Sequence, residues 1–145
     1  MTGGSRFPVT IPFLHWLGVE MVDHSAGRAT LELDTEAHHR NSFGVAHGGV
    51  LMTLLDVAMA MAGRSLAHPE AGEIGVSGAE QGMVTIEMKT TFMEPAHGKL
   101  MATGHCLHRT VSMAFCEADI HDERGHLVAR GSGTFKYMRQ RKIGT

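Results

Sequence analysis

One stretch of this chain constrains its fold more than any other: "HGGVLMTLLDVAMAMAG", residues 47–63. From Val50 to Ala62 every residue is apolar except Thr53 and Asp56. Leu, Met and Ala lose little freedom in a helix, so the run reads as a helix opened by Gly48-Gly49 and closed by Gly63. A helix that is apolar on every side must be enclosed by other structure rather than laid on a surface. Asp56 then becomes a problem, because burying a carboxylate is costly unless partners satisfy it or it takes up a proton. Any fold for this chain has to wrap that helix and account for Asp56.

Six strand-like runs are available to do the wrapping. "VEMVDHSAGRATLELDT" (19–35) divides into two strands around Ser25-Ala26-Gly27. In the second, Ala29, Leu31 and Leu33 alternate with Arg28, Thr30, Glu32 and Asp34, the period of a sheet with one wet face. After the helix come "MVTIEMKTTFME" (83–94), "GKLMATGHCLH" (98–108), "SMAFCEADIHD" (112–122) and "LVARGSGTFKYM" (127–138), punctuated by turn residues. Ala114, Cys116, Ala118 and Ile120 share one face of the third of these. Such small side chains leave room for the Met-rich helix to press against the sheet. "IPFLHWLG" (11–18) reads as a short helix or turn, "EAHHRNSFG" (36–44) as a loop, and residues 64–82 as a long Gly-rich connection. The expected class is α+β: an antiparallel sheet of five to six strands, two before the helix and four meandering after it, wrapped around one central helix.

With 145 residues and no internal repeat or linker, the chain reads as a single domain, 1–145, with flexible ends at 1–10 and 139–145. A net charge of -2 gives no electrostatic case for nucleic acid or an anionic membrane as partner. No apolar stretch reaches the ~18 residues of a membrane span. The start, "MTGGSRFPVT", lacks an apolar core of signal-peptide length, so a cytoplasmic location is expected. Cys106 and Cys116 could face one another across a hairpin, and in that compartment they are expected as reduced thiols. Among the 11 histidines, His38 and His39 are adjacent while His105 and His108 fall on opposite strand faces. None has the spacing of a closed zinc site, and no metal is expected. Neither a Gly-x-Ser-x-Gly elbow nor a Gly-x-Gly-x-x-Gly loop is present, which argues against a serine hydrolase or a dinucleotide enzyme.

His47-Gly48-Gly49 stands where loop becomes helix. The first N–H groups of a helix have no internal partner and carry the positive end of its dipole. Glycine lets a ligand approach that backbone closely, so the start suits a carbonyl oxygen that becomes an oxyanion. Two glycines also serve simply to permit a tight turn. For Asp56 three readings stand: a buried Asp bonded to a neighbouring strand, one that faces solvent, or a functional base or nucleophile. The flanking Leu54, Leu55, Val57 and Met59 argue against solvent. Distance adds a constraint, since eight residues from Gly48 to Asp56 span ~12 Å at ~1.5 Å per residue. The two groups of one chain cannot serve the same carbonyl. If both act in one reaction they come from different subunits, and the site lies at a dimer interface.

The string "N-S-F-G-V-A-H-G-G-V-L-M-T-L-L-D" (41–56) resembles the signature of hotdog-fold acyl-CoA thioesterases of the phenylacetate-pathway, or PaaI-like, branch. The matching residues are Asn41, Gly44, His47, Gly48, Gly49 and Asp56, and "V-T-I-E-M-K-T-T-F-M-E-P-A" (84–96) looks like the strand after the family's helix. The likeness covers most of residues 15–138. It implies the hotdog fold, homodimers commonly paired into homotetramers, and hydrolysis of an acyl-CoA with no cofactor, CoA being part of the substrate. It further implies that the Gly48 N–H polarises the thioester carbonyl and that Asp56 of the neighbouring subunit directs water or attacks. Asn41 and His47 would shape the loop and steady the reacting group, and Thr85 would orient the nucleophile unless it is merely an exposed strand residue. Gly49, Arg109, Arg130, Gly131 and Ser132 are the expected substrate contacts, the arginines toward CoA phosphates. Lys136 is a further candidate cation, whereas Arg139, Arg141 and Lys142 read instead as strand edge and basic tail. Met52, Met59, Met61, Met83 and Phe92 could line a pocket for an aryl or medium-chain acyl group, although Met at helical spacing is also plain core. A non-catalytic acyl-CoA-binding module and an enoyl-CoA hydratase or dehydratase are the alternatives.

Overall fold

A computed structural model of the chain describes residues 7–66 and 82–138. In chain order these form α1 (Pro12–Leu17), β1 (Glu20–Ser25), β2 (Arg28–Asp34), a 3₁₀ turn (Ala37–His39), α2 (Gly48–Arg64), β3 (Met83–Phe92), β4 (Lys99–Arg109), β5 (Met113–Asp122) and β6 (Leu127–Tyr137). The strands make one six-stranded antiparallel sheet in the order β1-β2-β4-β5-β6-β3. Its inner face holds α2, which gives the α+β arrangement expected from the residues and the hotdog fold that the resemblance implies. Residues 1–6 and 139–145 of the expected flexible ends and nearly all of the 64–82 connection, with Arg139, Arg141 and Lys142, fall outside the described residues.

Local chemistry places most element ends. Ala26 and Gly27 both take positive φ, 51° and 81°, the two-residue turn whose twist suits a hairpin. Ala29, Leu31 and Leu33 of β2 are buried, as their alternation requires. On α2, Leu51, Leu54, Leu55, Ala58, Met59 and Ala62 are buried against the sheet. The small inner-face residues Ala102, Ala118 and Ala114 let the helix sit close. At Gly104 the approach is closest, since a Cβ there would lie 2.2 Å from the Ala58 carbonyl oxygen. Only glycine fits under that turn of helix.

Four expectations need correction. The four later strands are not a simple meander, because β3 pairs with β6 at the far edge and β4 inserts between β2 and β5. Periodicity shows which face of a strand is wet but not which strand lies beside it. The link "Glu-Pro-Ala-His-Gly" reads as a turn, yet it passes the start of α2: the Ala96 carbonyl accepts the Ala46 N–H at 2.8 Å and the Gly98 carbonyl accepts the Thr35 N–H at 3.0 Å. Gly63 does not close the helix, which continues to Arg64 with Ser65 as its cap. Gly63 instead lies under a neighbour: a Cβ there would press on the Met83 thioether at 3.0 Å, and that flexible side chain would have to give.

The fourth correction concerns enclosure. With ~100° per residue, positions 49, 52, 53, 56 and 60 of α2 fall on one stripe. Gly49 and Met52 are exposed and Thr53, Asp56 and Ala60 are only half-buried, so the chain's own sheet covers one side of the helix and leaves this stripe open. Leu54, Leu55 and Met59 do flank Asp56 in sequence, but they point to the sheet. They cannot shield it from solvent.

Candidate active site

The loop before α2 is closed by Asn41. Its side-chain oxygen accepts the Phe43 N–H at 2.9 Å and the Val45 N–H at 3.3 Å, while its own N–H donates to the Val45 carbonyl at 2.8 Å. Gly44 takes φ 77° and donates to the Asn41 carbonyl at 3.0 Å. Few side chains tolerate that backbone conformation, which is why glycine follows Asn at this spacing. The turn delivers His47 as the N-cap of α2, with extended backbone at φ -62°, ψ 139°. The His47 Nδ1 accepts the Gly49 N–H at 2.8 Å and so satisfies one of the orphan donors at the helix start. In the neutral ring Nε2 then carries the proton and stays available outward.

Gly48 is left as the donor at the helix start. Among the described residues its N–H has no acceptor. It lies on an open cleft of about 320 Å³ lined by Asn41, Gly48, Leu51, Phe92 and Pro95 among others. A second cleft of about 330 Å³, on the other flank of the helix start, is lined by Trp16, Arg40, His47, Gly49 and Thr53 among others. An N–H free of protein partners, with the dipole of a 17-residue helix behind it, can hold a carbonyl oxygen and stabilise negative charge on it.

Asp56 lies on the open stripe two turns further on. Its Oδ1 accepts the Thr85 hydroxyl at 2.5 Å, while Oδ2 has no partner among the described residues. Thr85 belongs to β3, the strand at the sheet edge. The carboxylate is thus held by a neighbouring strand and open to a reactant at the same time. Asn41, His47, Gly48 and Gly49 come together at the helix start, and Asp56 and Thr85 come together halfway along it. Within one chain ~12 Å of helix axis separates the two groups.

The substrate-contact candidates beyond Gly49 do not join either group. Arg109 sits at the opposite end of α2, its guanidinium 3.9 Å from the centre of the Tyr137 ring, with Nη1 donating to the Leu66 carbonyl at 2.6 Å and Nε to the Thr110 carbonyl at 3.2 Å. Arg130 is exposed on the outer face and donates to both Asp119 carboxylate oxygens, at 2.6 and 3.2 Å. That partner holds the guanidinium above its ordinary pKa. Gly131 packs beneath Leu55 on the inner face, and Ser132 is exposed between Lys89 and Glu117. Of the side chains offered as pocket lining, Met59 and Met61 are core and Met83 is half-buried, whereas Met52 and Phe92 stay open to the surface.

Cys106 and Cys116 do oppose one another on β4 and β5, as free thiols. A hydrogen bond with Cys116 holds Cys106 down to about 7, and the same bond with burial pushes Cys116 up. The pair lies near the Gly27 turn, since the Cys106 N–H donates to the Gly27 carbonyl at 2.8 Å, and away from the helix start. The sequence reading passed over Trp16, which is 66% exposed and stacked on Phe13 at 6.4 Å. Its signal was a large aromatic on the face of α1 opposite Leu14 and Leu17, both buried. Among the described residues no cluster of three or more His, Cys, Asp or Glu could hold a metal ion, and no helix is long and apolar enough to cross a membrane.

Comparison with known proteins bears on the family and the fold. Residues 43–129 match the model of the thioesterase superfamily. The chain is 31% identical over 119 residues to the human protein named acyl-coenzyme A thioesterase 13, covering 80% of this chain and 77% of that one. It superimposes on the conserved protein PA5202 of Pseudomonas aeruginosa with a TM-score of 0.78 at 30% identity, covering 89% of this chain and 95% of the other. It also superimposes on PaaI, from the phenylacetic acid degradation operon of E. coli, with a TM-score of 0.77 over 90% and 86% of the two chains. Identity there is 20%, so the likeness speaks to the fold.

Proposed function

The chain belongs to the thioesterase superfamily and is a thioester hydrolase, and from that premise we propose that it cleaves an aryl- or medium-chain acyl-CoA to free acid and CoA at a site shared by two subunits. The observation that carries this reading is the pairing on one helix of an unpartnered Gly48 N–H with a strand-held Asp56 too far along to reach it. The thioester oxygen accepts from the Gly48 N–H, and negative charge builds there as the carbonyl carbon is attacked. The partner subunit's Asp56 either takes a proton from the attacking water or attacks the carbon itself, with water later hydrolysing the anhydride. In either course the C–S bond breaks as the tetrahedral intermediate collapses, which on the nucleophilic course is what forms the anhydride. The electron pair leaves with sulfur, and the thiolate takes up a proton from Asp56 or, on the anhydride course, from water. Thr85 fixes one carboxylate oxygen and leaves the other to react. Asn41 keeps the loop closed, and the outward nitrogen of His47 is placed to steady the reacting group.

The edge strand β3 supports the shared site. Ile86 is 54% exposed and Val84 and Phe92 are also open, an apolar edge that a soluble chain covers with something. The Thr85–Asp56 bond joins this edge to the open stripe of α2, so a second copy seated there brings its own Asp56 toward the first copy's helix start. Dimers built this way pair into tetramers, in a cytoplasmic protein that needs no cofactor. Arg109 and Arg130 remain the candidates for CoA phosphates, Arg130 only by yielding Asp119.

Replacing Asp56 by Asn tests the chemistry. Thiol release from aryl- and medium-chain acyl-CoA should fall on the order of 10²- to 10⁴-fold, with the assembly intact by light scattering. Unchanged turnover would sink the mechanism.

A further inference from the structure

His39 is a titratable side chain that the chemistry above does not use, and it is 1% exposed. Its Nδ1 accepts the Glu36 N–H at 2.9 Å, and its Nε2 lies 2.7 Å from the Leu17 carbonyl oxygen. An N–H facing one ring nitrogen and a carbonyl facing the other require the neutral ring with its proton on Nε2. The His39 main-chain oxygen in turn accepts the His47 N–H at 2.8 Å. One residue therefore ties the end of α1, anchored in the core by Leu17, to the peptide that leads into Gly48. Both ring bonds fix where the His39 backbone stands. That backbone fixes His47.

We propose that His39 is a positioning residue for the thioester site, setting the direction of the Gly48 N–H without touching substrate. The proposal rests on the reading that this N–H polarises the thioester carbonyl. A preorganised donor acts only when aimed at the point where the oxyanion develops. Misaiming it lowers the rate of the chemical step and leaves ground-state binding nearly unchanged.

The ring's two bonds can be removed separately. In His39→Gln the amide nitrogen reaches the place of Nε2 and keeps the Leu17 bond. In His39→Asn the amide oxygen takes the place of Nδ1 and keeps the Glu36 bond, while His39→Leu keeps neither. The expected result is a kcat loss on the order of tenfold in the Gln and Asn variants and a hundredfold in the Leu variant, with KM within about twofold throughout. Hydrogen exchange at the His47 amide should quicken in the same order, and it is read without substrate. Wild-type kcat in both the Gln and Asn variants would overturn the proposal. So would losses that only track the folded fraction, up to failure to fold, since His39 would then serve the core alone. If the wild-type protein releases no thiol from any acyl-CoA, the thioesterase reading fails, and exchange at His47 still decides whether His39 holds the loop.

Discussion

The two sides of α2 share methionine and alanine and behave differently. Leu51, Leu54, Leu55, Ala58, Met59 and Ala62 are buried by the chain's own sheet. Gly49, Met52, Thr53, Asp56 and Ala60 form the other stripe, and there Met52 is 40% exposed. Both polar residues between Val50 and Ala62 fall on the open stripe. A helix that read as uniformly apolar is therefore two surfaces, one that holds the fold and one left open, to which the proposed function assigns the chemistry and a second copy. The difference also resolves the cost of Asp56: half-buried and bonded to Thr85, it is never placed in a purely apolar environment.

The sharpest way to break the comparison is to damage the covered side. Gly104→Ala puts a methyl 2.2 Å from the Ala58 carbonyl oxygen, a backbone atom that cannot swing away. The expected cost is at least about 3 kcal/mol of stability, read as a shifted urea midpoint. On the site side, Gly48→Pro removes the N–H and little else. Proline suits the first helical position, and His47 already has the extended φ -62°, ψ 139° that a residue before proline adopts. Stability should change by under about 1 kcal/mol while kcat falls on the order of 10²- to 10³-fold. An active Gly48→Pro protein would show that the helix start is only a turn. Smallest is Thr85→Val, which removes the hydroxyl bond to Asp56 and keeps the branched strand shape. A kcat loss on the order of tenfold is expected, with no change in melting temperature beyond a few degrees.

Much of this was legible in the residues. The alternation in 28–34 and the Leu, Met and Ala run before Gly63 are local signals, and β2 and α2 appear where they put them. The spacing of Asn41, Gly44, His47, Gly48 and Asp56 also survives intact, because each member acts within its own loop or helix turn. What the sequence concealed is set by distant neighbours. Nothing in "EPAHG" says that it will pass the start of α2 instead of joining adjacent strands. Nothing around Gly63 says that Met83 will press against it. His39 looked like half of an unproductive histidine pair, since its partners Leu17 and Glu36 are backbone atoms that no motif records. The candidate-site residues that lie in one loop or helix turn fall together where their local pattern puts them. The arginines, carried over by likeness to other chains, are instead engaged with Leu66, Thr110 and Asp119.

A shared site is tested most directly by mixing two dead proteins. Asp56→Asn subunits keep a working Gly48 N–H, and Gly48→Pro subunits keep a working Asp56. After co-refolding, with mixed assemblies verified by mass spectrometry, a mixed dimer carries one site in which both groups are intact. Thiol release should return to about a quarter of the wild-type rate, from half of the dimers each holding one of two sites. Verified mixed dimers that remain as inactive as their parents would contradict a site built from two subunits.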